Sequence, residues 1–133
     1  MARVSDIIFC LNSTNLPGQG VCANTILTTI MPEYIPGLFT FSVVITILGV
    51  DVSTEHPITI SFSHEGTPVA DVTSQIPSME DQSNLPQEYK GVNLALNWNN
   101  INFQEQGEYS LKVMVDGQEV GNKTIFVKGK NQI

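Results

Sequence analysis

The chain has 133 residues, 41% of them apolar and only 14% charged, with thirteen acids against six Lys and Arg for a net charge of -7. At that length one domain spanning residues 1–133 can bury its own core, and the Asn, Ser and Thr that replace the missing charges suit the outer faces of strands. No stretch approaches the roughly 20 apolar residues of a membrane span and no basic, apolar, small-residue signal pattern stands at the start around Arg3 and Asp6, so a cytoplasmic protein is expected; the acids of Asp51 to Glu88 separately disfavour direct contact with nucleic acid.

In chain order, Arg3 to Leu11 predicts a first strand, with Ile7, Phe9 and Leu11 on one face. The turn formers of Asn15-Leu16-Pro17-Gly18-Gln19-Gly20 reverse the chain into a hairpin partner from Val21 to Ile30. Pro32, Pro36 and Gly37 then interrupt pairing, since Pro cannot donate to a ladder, and mark a crossing from one sheet to another. Leu38 to Val50 is the strongest strand: Phe39, Phe41, Val43, Ile45 and Ile47 alternate with smaller or polar residues, and Val44 and Leu48 suggest cover on the second face, as in a central strand.

Ile58–His64 and Val69–Gln75 follow as a hairpin around Glu65-Gly66-Thr67-Pro68. Residues 76–88, with Pro77, Pro86 and acids, are too polar and proline-broken for a strand and predict an exposed loop. Gly91–Trp98 alternates cleanly and is expected to end at Asn99-Asn100-Ile101-Asn102. Tyr109–Val115 and Glu119–Val127 close the chain as a hairpin through Asp116-Gly117, the strongest short turn signal in the sequence. About eight strands with frequent turns and no capped helical pattern predict an all-β, antiparallel β-sandwich.

The charge is unevenly placed. Between Asp51 and Glu88 lie seven acids and no Lys or Arg, while Lys123, Lys128 and Lys130 fall in the last eleven positions. Such a segment keeps a protein soluble, or presents an acidic face to a basic partner. Glu80, Asp81 and Glu88 are the residues expected to meet that partner. Cys10 and Cys22 fall on neighbouring strands, where a disulfide forms only if they are opposite; without an export signal they read as free, half-buried thiols, and the sequons at Asn12 and Asn122 as unmodified.

Chemistry is harder to find. His56 and His64 bracket one strand, at about 3.3 Å per residue far too distant to share a metal. Asp51, Glu55 and His56 can gather at one end of it and His64, Glu65 and Asp71 at the other, yet oxygen-rich strand ends are ordinary. The cysteines lack zinc spacing, and no nucleophile elbow, P-loop or dinucleotide fingerprint occurs. No metal, no cofactor and no catalytic residue is expected. An amide strip of Asn93, Asn97, Asn99 and Asn100 beside Trp98 and Tyr89 invites comparison with carbohydrate contact, but suits a solvated face over a core Trp better.

Phe103-x-x-x-Gly107-x-Tyr109-x-x-x-Val113-x-Val115-Asp116-Gly117 resembles the last hairpin of immunoglobulin-like sandwiches, which implies a corner-type hydrogen bond from the Tyr109 hydroxyl to nearby backbone. Leu111 stands where antibody-type domains have Cys, so the likeness is architectural. The order Asp6-Ile7-Ile8-Phe9-Cys10, Ile26-Leu27-Thr28-Thr29-Ile30 and Pro36-Gly37-Leu38-Phe39-Thr40-Phe41 also resembles a family of small uncharacterised bacterial β-sandwich proteins. That resemblance implies the fold and no activity. The expectation is a non-enzymatic binding or assembly module with a protein partner or a second copy of itself. The alternative is an inhibitor encoded by a mobile element, whose acidic face blocks a basic nucleic-acid site; an uncharacterised hydrolase stands third.

Overall fold

A strand with one greasy face needs a second layer to cover it, and this chain makes two. The computed structural model describes residues 2–16, 20–50, 54–76 and 85–131. One sheet holds β1 (Arg3–Leu16), β2 (Gly20–Ile26), β4 (Gly37–Leu48) and β7 (Gly91–Phe103) in the order β2-β1-β4-β7. The other holds β3 (Thr29–Ile30), β5 (His56–His64), β6 (Thr67–Ile76), β8 (Gly107–Val115) and β9 (Gln118–Val127) in the order β3-β9-β8-β5-β6. Among the described residues only β3 with β9 is parallel. With β1, β4 and β7 as strands A, B and E, and β9, β8, β5 and β6 as G, F, C and C′, this is an immunoglobulin-like β-sandwich.

The alternation seen in the sequence becomes the core. Phe41, Val43, Ile45 and Ile47 of the central strand β4 are fully buried against Ile58, Ile60 and Phe62 of β5 and Leu111, Val113 and Val115 of β8. At one end Phe9, Phe41, Phe62, Phe103, Trp98 and Tyr109 form a cluster of rings with tilted and edge-on contacts, each good for about 0.5–1.5 kcal/mol beyond area burial. Lys123 ties the sheets together at a margin, donating from Nζ to the Ile7 carbonyl at 2.7 Å and lying 5.9 Å from the Phe9 ring centre.

Most strands shift by a residue or two from the sequence expectation, and three boundaries differ in a way that changes the fold. β1 runs to Leu16 rather than Leu11, because a ladder is made by backbone: Asn12, Ser13, Thr14 and Asn15 lie opposite Asn24, Ala23, Cys22 and Val21. This arm extends past the last rung with β4, Cys10–Ser42, and leans towards β7, where Ser13 Oγ lies 3.3 Å from Asn97 Oδ1. It covers outward positions of the first sheet, so that Cys10, Ser42 and Val44 are buried.

The strand expected over Val21–Ile30 is instead two. β2 stops at Ile26, after Thr25 in the left-handed region, and β3 joins the opposite sheet, where Ile30 is completely buried. The chain thus changes layer at Leu27-Thr28 and returns through the Pro32–Pro36 segment. The asparagines after Trp98 do not end a strand. They make a bulge, with Asn100 at φ 54 and its N–H donating to Thr40 Oγ1 at 2.9 Å, and β7 continues to the buried Phe103.

Candidate functional site

β7 has β4 on one side and, among the described residues, no strand on the other. Register identifies which of its backbone groups that leaves unpaired. The Gly49 N–H donates to the Lys90 carbonyl just beyond the Leu48–Gly91 rung, which makes that rung a non-hydrogen-bonded pair. The alternate rungs Ile47–Val92, Ile45–Leu94 and Val43–Leu96 then exchange both bonds. The N–H and C=O of Asn93, Ala95 and Asn97 therefore point away from the sheet.

Native edges are usually blunted by Lys, Pro or brevity. β7 is 13 residues long and holds no charged residue and no Pro. The other margins differ: β6 carries Pro68 and Asp71, β9 is partly covered by β3, and β2 has only seven residues. Beside β7 runs an open cleft of about 660 Å³, lined by Thr46, Asn93 and Ala95 and flanked by Leu85, Tyr89 and Val21. Tyr89 is 61% exposed. The amide strip is real but engaged: Asn93 Oδ1 accepts from Thr46 Oγ1 and Asn97 Oδ1 from Ser42 Oγ. Trp98 is buried against Phe41 and Phe62, so it offers no face to a sugar.

The two histidines stand at opposite ends of β5, each with partners. His56 Nδ1 lies 2.9 Å from Asp116 Oδ2, and Nε2 lies 3.3 Å from Thr54 Oγ1. Hydroxyl, imidazole and carboxylate are thus in file, the order a nucleophile relay needs. A cleft of about 260 Å³ lined by His56 and Asp116 lies beside them.

At the other end the Tyr109 hydroxyl donates to the Glu105 carbonyl at 2.6 Å, the corner bond implied by the immunoglobulin resemblance. His64 stacks on the Tyr109 ring at 4.3 Å between centres, its Nδ1 is 2.8 Å from the Glu108 carbonyl, and its Nε2 is 3.3 Å from Glu105 Oε2. Glu65 joins His64 as expected; Asp71 does not, since it lies opposite Ser61 on the β5–β6 ladder. Glu105 is the residue missed, because only the chain reversal between β7 and β8 brings it to β5.

Of the acids expected to meet a partner, Glu80 and Asp81 lie outside the described residues. Glu88 is exposed on a 3-10 turn, Gln87–Tyr89, that leads into β7. Cys10 faces Ile26 and Cys22 faces Thr14, so the thiols are offset along the hairpin and both are free. Burial pushes the Cys10 thiol above its ordinary pKa. No helix among the described residues is long and apolar enough to cross a membrane.

Residues 6–128 match a family of unknown function, DUF6941. No curated protein matches the chain. Among solved structures, the alkylpurine DNA glycosylase AlkC of Pseudomonas fluorescens, bound to DNA containing an abasic-site analogue, is similar over 96% of this chain with a TM-score of 0.52 and 7% identity. This chain spans only 30% of that protein, and the likeness is one of fold. An immunoglobulin-like protein of Pseudomonas aeruginosa has a TM-score of 0.47 and 15% identity, covering 96% of this chain and 97% of its own. A β-glucosidase of Listeria innocua in complex with gluconolactone has a TM-score of 0.42 and 11% identity, covering 91% of this chain and 16% of its own.

Proposed function

We propose that this chain, which belongs to the family of unknown function DUF6941, works as a non-enzymatic protein-binding module in the cytoplasm that receives an extended segment of a partner along β7. The observation that carries this reading is the edge itself, which no strand covers among the described residues: β7 is uncharged and without Pro, and its Asn93, Ala95 and Asn97 aim main-chain donors and acceptors outward. An incoming strand completes those groups with backbone hydrogen bonds, and alternate side chains of the newcomer meet the cleft beside Tyr89 and Thr46.

The test uses proline. At Ala95 the ring takes away an outward N–H and no ladder bond, so Ala95→Pro is expected to fold and to lose the partner. Affinity capture from native cells with wild-type, Ala95→Pro and Phe126→Ser baits decides it. Phe126 is 58% exposed on the far sheet, and its replacement is expected to keep the partner. A partner held equally by Ala95→Pro refutes the edge reading; sedimentation equilibrium tells whether the strand comes from a second copy. Because backbone pairing depends little on ionic strength, a steep loss of binding with salt would point instead to the acidic inhibitor.

A further inference from the structure

Where the β5–β6 turn meets the loop between β7 and β8, one imidazole and two carboxylates converge. His64 Nε2 and one oxygen each of Glu65 and Glu105 all lie within 4.8 Å of one another. The imidazole is unusually well fixed for a residue at a strand end. Its ring is sandwiched flat on Tyr109, with 16° between the planes, and its Nδ1 lies 2.8 Å from the Glu108 carbonyl. A carbonyl oxygen only accepts, so Nδ1 carries a hydrogen and Nε2 is the nitrogen turned towards the carboxylates. That is the arrangement of a ligating histidine, whose far nitrogen is anchored to a backbone carbonyl.

The spacing points the same way. A charge-assisted hydrogen bond between an imidazolium and a carboxylate closes to about 2.7–2.9 Å, whereas Nε2 and Glu105 Oε2 stand 3.3 Å apart. Two ligands at about 2.0–2.1 Å from a tetrahedral zinc ion are separated by roughly 3.3–3.4 Å. Glu65, in a two-residue turn with φ 49 in the left-handed region, brings a carboxylate oxygen within 4.8 Å of both the His64 nitrogen and the Glu105 oxygen. No Lys or Arg pairs with any of the three among the ion pairs of the described residues.

We propose that His64, Glu65 and Glu105 bind a divalent transition cation of the zinc type, with the imidazole as the fixed ligand and the two glutamates closing on it. Three protein ligands leave a coordination position for water or a small anion, and it opens on a cleft of about 430 Å³ lined by Thr67, Asn102 and Gln104. The site lies on a different part of the molecule from the ladder face of β7 at Asn93–Asn97, so metal binding and strand addition succeed or fail separately.

Zinc titrated calorimetrically into the purified full chain tests this, with cobalt as a spectroscopic substitute. One ion per chain is expected, with visible cobalt bands and a rise in Tm. Glu105→Gln, which keeps shape and the backbone carbonyl used by Tyr109, is expected to weaken zinc at least tenfold and to weaken the cobalt bands. His64→Gln is expected to abolish both, while His56→Gln leaves them unchanged. Circular dichroism confirms that each variant is folded. Absence of binding by the wild type, or equal binding by Glu105→Gln and His64→Gln, overturns the site.

Discussion

Two prolines one residue apart on β7 are expected to differ several-fold in cost, and the difference follows from ladder parity. Leu94 donates its N–H to Ile45, whose residue is completely buried at the centre of the first sheet. Leu94→Pro deletes that bond, worth about 0.5–1.5 kcal/mol, and strands a buried carbonyl at a further 1–3 kcal/mol; with the ring pressing on the neighbouring chain, the loss is about 3–5 kcal/mol. Ala95 donates to nothing in the sheet, and the preceding residue is already extended, so Ala95→Pro costs about 1 kcal/mol or less, offset by a stiffer unfolded chain. Against a total stability on the order of 7–15 kcal/mol the first variant loses a large fraction and the second little. Urea unfolding followed by the fluorescence of Trp98, the single tryptophan and a buried one, measures both. Leu94→Ala isolates the side-chain part of the loss. Equal destabilisation by the two prolines, or the reverse order, would refute the assignment of the outward groups on which strand addition depends.

Two further outcomes are expected. Tyr109→Phe keeps the ring stacked among Phe62, Phe103 and His64 and removes only the bond to the Glu105 carbonyl, so it costs about 1 kcal/mol, or roughly 3–5 °C in Tm by calorimetry; an unchanged Tm would deny the corner bond an energetic role. The Cys10 thiol, its pKa raised by burial, stays protonated in the folded state after the unfolded chain has begun to ionise near pH 9. The unfolded state then binds fewer protons, so stability contributed by the neutral thiol is intact below about pH 9 and falls as pH rises through the folded value. Thermal scans from pH 7 to 10.5 under reducing conditions are expected to show a steeper alkaline decline for wild type than for Cys10→Ala, and parallel curves would contradict this.

Period-two patterning made the layered fold readable, because each of Phe41, Ile60 and Leu111 must choose a face and a whole strand follows the choice. Tyr109 and the Asp116-Gly117 turn were legible for the same reason: their conformations are set by neighbours in sequence. What stayed hidden depended on distant partners. Asn12 to Asn15 carry no apolar rhythm, yet their backbones pair; Ile30 leaves its sequence neighbours to reach the opposite sheet; Asn99-Asn100 spell a turn but make a bulge because β4 continues alongside. The candidate metal ligands show the limit most plainly, since His64 and Glu65 are adjacent whereas Glu105 comes from a loop forty residues on.

The brief parallel pairing of Thr29 with Phe126 also sets a timetable for the making of the protein. Its halves are about 100 residues apart, and at synthesis rates of roughly 5–20 residues per second the first waits on the order of 5–20 s for the second to be made. During that interval Ile30 has no layer to enter and the N-terminal hairpin has only β4 beside it, so the nascent chain shows its greasy face to whatever waits at the ribosome. Because β9 pairs with both β8 and β3, β3 can take its place in the second sheet only once β9 has been made.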